Sequence, residues 1–116
     1  MSKNIDWYYH RKGSTSCVRA QEFLANREIV ATEAVDARAK LGRADALQMA
    51  KAASKLIAAK GKNVVTFSMH KDSPDDRTLA AHMLGPTGTL RAPTIRKGET
   101  LLVGFNEEVF IQALRV

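Results

Sequence analysis

Apolar positions along this chain follow two spacings, and the switches between them outline the fold. Ile5 to Tyr9 is a short aromatic and apolar run closed by His10-Arg11-Lys12-Gly13, which predicts a first strand. From Ser14 the spacing lengthens. Cys17, Ala20, Phe23 and Leu24 share one stripe while Arg19, Glu22 and Arg27 face water, so a helix is predicted to about Asn26, with Ser14, Thr15 and Ser16 as candidate caps. Ile29-Val30-Ala31 begins a second strand that fades through Val35 into Asp36-Ala37-Arg38. Residues 43–59 carry seven alanines with Leu47, Met49, Leu56 and Ile57, and predict one long helix with Gly61 as its left-handed cap.

Val64 to Met69 has strong β composition and predicts another strand. Ser73-Pro74-Asp75-Asp76 reads as a helix start, with Ser73 capping, proline at the first position and carboxylates on the positive end. That helix runs to Leu84, before Gly85-Pro86. Leu90–Ile95 and Thr100–Val103 predict a hairpin turned at Gly98, in which Pro93 falls inside the first strand without a ladder donor. Asn106 caps a last helix, with Phe105 placed to staple onto Phe110. The order of elements implies a single α/β domain over residues 1–116, with parallel pairs joined by right-handed helical crossovers and an antiparallel hairpin added at the end.

Composition narrows the function classes. With 45% hydrophobic and 26% charged residues in 116, the chain is expected to bury a core without staples. No apolar run reaches the roughly 18–20 residues of a membrane span and Met1-Ser2-Lys3-Asn4 opens no signal-peptide pattern, so a cytoplasmic protein is expected. The single cysteine, Cys17, fits a reducing compartment and forbids an intramolecular disulfide. His10, His70 and His82 are scattered and lack zinc spacing, so no metal site is expected. The net charge of +6 is spread along the chain without a basic block, which favours solubility over nucleic-acid binding.

The chemistry concentrates in Gly13-Ser14-Thr15-Ser16-Cys17, where a thiol lies in the first turn of a predicted helix. The orphan N–H groups and helix dipole there favour a thiolate. The same cysteine also lies on the apolar stripe, and lone cysteines are among the most buried residues, so a purely packing role stands beside the reactive one. Ser14 lacks an evident base for nucleophilic work and reads as a cap. Arg11, Lys12 and Arg91 could join the helix start in an anion pocket for carboxylate, phosphate or glutathione; a solvated basic face is the competing reading.

Two motifs together resemble the thioredoxin superfamily: Ser14-Thr15-Ser16-Cys17 between strand and helix, and Ala92-Pro93-Thr94-Ile95 before a glycine-turned hairpin and Gly104-Phe105. The closer resemblance is to the ArsC and Spx-type branch, through Ser14-Thr15-Ser16-Cys17-Val18-Arg19-Ala20 and Leu90-Arg91-Ala92-Pro93. The resemblance implies a thioredoxin-like (glutaredoxin/ArsC-like) three-layer fold with a mixed central sheet of about four strands flanked by helices, and a cis bond before Pro93. It implies a thiol–disulfide oxidoreductase with no bound cofactor, taking electrons from glutathione or thioredoxin and acting on an oxyanion or a protein disulfide. Ser14 then occupies the place of the attacking cysteine, or of the selenocysteine some members carry, and Cys17 is a buried resolving thiol. Arg11, Thr15, Arg91, Pro93 and Thr94 would meet the substrate or anion. Three departures count against the activity: oxygen replaces sulfur at Ser14, Ala92 stands where arsenate reductases have an arginine before the proline, with Arg91 one residue earlier, and this shorter chain lacks the helical middle region that gives them a further arginine. The alternative is a non-catalytic interaction or regulatory module of Spx type.

Overall fold

The computed structural model describes residues 4–116. Six strands form one mixed sheet: β1 (Ile5–His10), β2 (Ala31–Asp36), β3 (Lys55–Lys60), β4 (Asn63–Ser68), β5 (Thr94–Lys97) and β6 (Thr100–Val103). Five helices accompany them: α1 (Thr15–Asn26), α2 (Arg43–Ala52), α3 (Met69–Asp72), α4 (Asp76–Met83) and α5 (Glu107–Leu114). The strand order is β2-β1-β5-β6-β3-β4. Pairs β1/β2 and β3/β6 are parallel, while β1/β5, β5/β6 and β3/β4 are antiparallel.

Apolar clusters lie on both faces of this sheet. On one, Tyr9, Leu56, Leu101 and Val103 meet Ala46 and Ala50 of α2 and Leu79 and Met83 of α4. On the other, Ile95 and Leu102 meet Ala20, Phe23 and Leu24 of α1 and Phe110 and Leu114 of α5. Successive residues of β6 thus serve opposite clusters, which is why a strand buried on both sides reads as the uninterrupted run Leu101-Leu102-Val103.

The sheet has six strands, where the resemblance implied about four and the hydrophobic pattern five; the sixth, β3, arises because the long helix predicted over 43–59 is two elements. Helix α2 stops at Ala52, and Ala53 is extended at φ −92°, ψ 156°. Tertiary bonds take the backbone from there. The amides of Ser54 and Lys55 donate to Glu99 O at 2.8 and 3.2 Å, and Ser54 Oγ donates to the Glu99 carboxylate at 2.8 Å. Alanine's helix propensity is a few tenths of a kcal/mol per residue, and ladders to two strands outweigh it. Gly61 (φ +62°) therefore opens the two-residue β3–β4 turn and does not cap a helix.

Three smaller corrections concern caps and the proline. Asp75, and not Ser73, caps α4: its carboxylate accepts the Thr78 N–H at 2.8 Å, while Ser73 ends α3 in the left-handed region. Ser14 is the N-cap of α1, yet its side chain makes no capping bond. Pro93 lies just before β5, so no ladder donor is lost, and the Ala92–Pro93 bond is cis. The last helix forms as expected: Asn106 accepts the Val109 N–H at 3.1 Å, and the Phe105 and Phe110 rings lie 4.8 Å apart.

Candidate functional site

The C-terminal end of β1 delivers the chain into the loop before α1, and six of the expected site residues, Arg11, Ser14, Thr15, Cys17, Pro93 and Thr94, lie in it or at the same end of β1. Cys17 is buried, with only 4% of its surface exposed, in the first turn of the helix. Its Sγ accepts the Arg11 N–H at 3.3 Å, so the thiol holds the near end of the loop that precedes it. Ser14 is half-buried and Thr15 exposed, both at the helix start. Across the sheet the β1/β5 ladder sets Thr94 opposite Tyr9, which brings Pro93 to the same end of β1. Pro93 O accepts the Gly104 N–H at 2.8 Å, and the buried Thr94 hydroxyl donates to Arg91 O at 2.6 Å. Thr94 thus spends its one hydroxyl proton inside the protein.

Arg91 is directed elsewhere. Its guanidinium donates to His82 O at 3.0 Å and to Ala59 O at 2.6 Å, joining the C-terminal turn of α4 to the end of β3. Burial pushes the guanidinium below its ordinary value, though an arginine stays charged throughout the physiological range. Gly104 makes room for this bridge. Its φ is +85°, and a Cβ there would run into Ala59 O and lie 2.9 Å from Arg91 Nη2.

One neighbour of Cys17, and a ring stacked beside that neighbour, escape a reading of the sequence alone. Tyr8, on the strand before the loop, has a buried hydroxyl without a hydrogen-bond partner among the described residues. Its phenol is pushed up to about 12, first by burial and then by the adjacent Cys17. The His10 ring stands 5.2 Å from that of Tyr8. Alternation along β1 is the signal that could have found them, since 8 and 10 share a face.

A cleft of about 590 Å³ adjoins the loop, lined by Arg11, Lys12, Asp36, Ala37, Arg38, Lys40, Thr87 and Thr89. It lies beyond the C-terminal ends of the parallel strands β1 and β2, where open α/β sheets place ligands. Asp36 is held below the usual carboxylate range, chiefly by the Arg38 backbone N–H at 2.8 Å, with the Arg38 guanidinium at 3.2 Å adding to it. Of the expected anion ligands, Arg11 faces this cleft and Arg91 does not. The charged run Asp36-Ala37-Arg38-Ala39-Lys40 after a predicted strand was the available clue.

Among the described residues no three His, Cys, Asp or Glu side chains are grouped as metal ligands, and no helix is long and apolar enough to cross a membrane. Comparison with known protein families and with curated proteins finds no match for this chain.

Proposed function

We propose that the chain is a thioredoxin-like domain of the ArsC and Spx kind whose thiol–disulfide site is incomplete as written. Ser14 stands at the position of the attacking sulfur and Cys17 is the resolving thiol. The observation that carries this reading is the placement of Cys17: buried in the first turn of α1, bonded to the loop amide of Arg11, with Pro93 at the same end of β1. The run β2-β1-β5-β6, with its parallel pair followed by an antiparallel hairpin, supports the thioredoxin-like frame, and β3–β4 extends it beyond β6.

The chemistry follows from counting sulfurs. A Cys17 thiolate can attack a disulfide, forming a mixed disulfide and releasing the other half as thiolate; no second thiol is present to displace the bound half. Its burial further slows that attack. Restoring sulfur at position 14 divides the labour. The introduced thiolate attacks, Cys17 displaces the substrate sulfur, and an internal disulfide remains for glutathione or thioredoxin to reduce. Arsenate-type oxyanion reduction is not included, because Arg91 is committed to the carbonyls of Ala59 and His82.

The test is to equilibrate the chain and Ser14→Cys with reduced and oxidised glutathione, then assay disulfide reduction. The variant is expected to form an internal disulfide, seen by mass spectrometry as loss of two hydrogens, and to turn over, while the parent chain does not. If neither turns over with glutathione or thioredoxin as donor, the redox reading fails. The second reading, a non-catalytic interaction module, is favoured by the same buried, solitary thiol. It expects capture of a specific protein partner to survive Cys17→Ala.

A further inference from the structure

We propose that the cleft between the β1–α1 loop, residues 36–40 and the turn 85–90 is a binding site for a small phosphate monoester. The inference stands on the cleft alone and does not depend on thiol chemistry.

Charge is the first argument. Arg11, Lys12, Arg38 and Lys40 face the cleft against one carboxylate, Asp36, which Arg38 already occupies. Four cations against one anion leave three positive charges converging on one concavity. Of the three cations that Asp36 leaves unpaired, Arg11 carries a guanidinium fork, whose paired donors match phosphate oxygens, and Lys12 and Lys40 are ammonium groups. Thr87 and Thr89 hydroxyls share one hydrogen bond at 3.1 Å, so one hydroxyl proton of the pair remains to donate outward.

The second argument is that the walls are fixed before any ligand arrives. Tyr9, fully buried, donates from its hydroxyl to the carbonyl region of Ala37 and Ala39, at 3.4 and 3.2 Å, and the hydroxyl accepts the Leu41 N–H at 3.4 Å. The Ala37 N–H donates to His10 O at 2.7 Å, tying this wall to the end of β1. Leu90 N donates to Leu41 O and Gly85 N to Thr89 O, both at 2.8 Å, which sets the third wall against the second. Arg11 N is held by Cys17 Sγ. Ligand binding therefore has to order exposed side chains but little backbone.

Size selects the ester. The cleft's volume of about 590 Å³ falls within the 300–1,000 Å³ of small-molecule sites and exceeds what a lone phosphate fills, leaving room for an organic group against Ala37 and the aliphatic stems of Lys12 and Lys40. Nucleic acid would call for a basic stripe along a groove, and these cations converge on a pocket.

The experiment titrates phenyl phosphate, inorganic phosphate and benzoate into the isotopically labelled full chain at neutral pH and moderate salt, following backbone amide signals. Phenyl phosphate is expected to saturate at or below about 1 mM, with shifts confined to residues 11–13, 36–40 and 85–90, and benzoate to bind far more weakly. Lys12→Gln with Lys40→Gln should weaken it at least about tenfold. Lys60→Gln with Lys62→Gln, the same charge change at the β3–β4 turn, should leave it within about twofold. Absence of saturation, shifts spread over the whole surface, or equal losses in the two double variants would each overturn the site. Inorganic phosphate binding as tightly as phenyl phosphate would overturn the ester. An oligouridylate binding more tightly still, with steep salt dependence, would replace it with a nucleic-acid surface. Should the first double variant not fold, Lys40→Gln alone is read against Lys62→Gln.

Discussion

The hairpins β3–β4 and β5–β6 turn alike, each through a two-residue loop that opens on a glycine of positive φ, Gly61 at +62° and Gly98 at +60°. Their surroundings differ. Strands β5 and β6 lie inside the sheet, with Thr94, Ile95, Leu101, Leu102 and Val103 buried. Strand β3 is shared between β6 and β4, but β4 forms the sheet's outer edge, with Val64 and Val65 at 40% and 36% exposure. One turn chemistry therefore serves a core element and a rim element. A good hairpin turn fixes a register but says nothing of how much stability the strands beyond it contribute.

Substitutions that shorten a side chain on each hairpin, or the side chain of Arg91 that braces β3, sharpen that difference. Leu102→Ala, at 1% exposure between α1 and α5, is expected to cost about 2–5 kcal/mol in denaturant unfolding. Arg91→Met comes next. It leaves the carbonyls of Ala59 and His82 without their guanidinium donor and is expected to cost about 1–3 kcal/mol, because this side chain ties the end of β3 to α4. Val64→Ala on the edge strand should fall within about 0.5 kcal/mol of the parent. A Val64→Ala loss as large as that of Leu102→Ala would break the comparison and make β4 part of the core.

The two hairpins also mark what could be read from residues. The order β5–β6–α5 was legible because its signals are local: Gly98 lies in the turn, Asn106 caps its own helix, and Phe105 staples onto Phe110. Strand β5 is nonetheless Thr94–Lys97 and not the predicted Leu90–Ile95, since the segment before Pro93 is bonded to Leu41 and Met83 and not to the sheet. Strand β3 was hidden because its cause is remote. Ala53-Ser54 leaves the helix to meet Glu99, and nothing in the alanine-rich stretch itself signals that partner. The site divides in the same way. The thiol loop could be located from its composition and its place between strand and helix. Arg91 could not be aimed, since its direction depends on a missing Cβ at Gly104. The cleft was missed because its walls come from three distant segments that meet only through the β1/β2 register, the Tyr9 hydroxyl and the Leu90–Leu41 bond.

The ladder between β1 and β5 has a consequence for how the chain is made. Tyr8 pairs with Ile95, 87 residues later, so β1 waits for β5 before the middle of the sheet can close. A nascent chain can join β1 to β2 and β3 to β4 well before β5 leaves the ribosome. Without β5 and β6, no ladder connects the pair β1/β2 to the pair β3/β4. The hairpin β5–β6 is the piece that unites them, through β1 on one side and β3 on the other. Such long-range closure slows folding, and a chain truncated before Thr94 would be left with two unjoined edges.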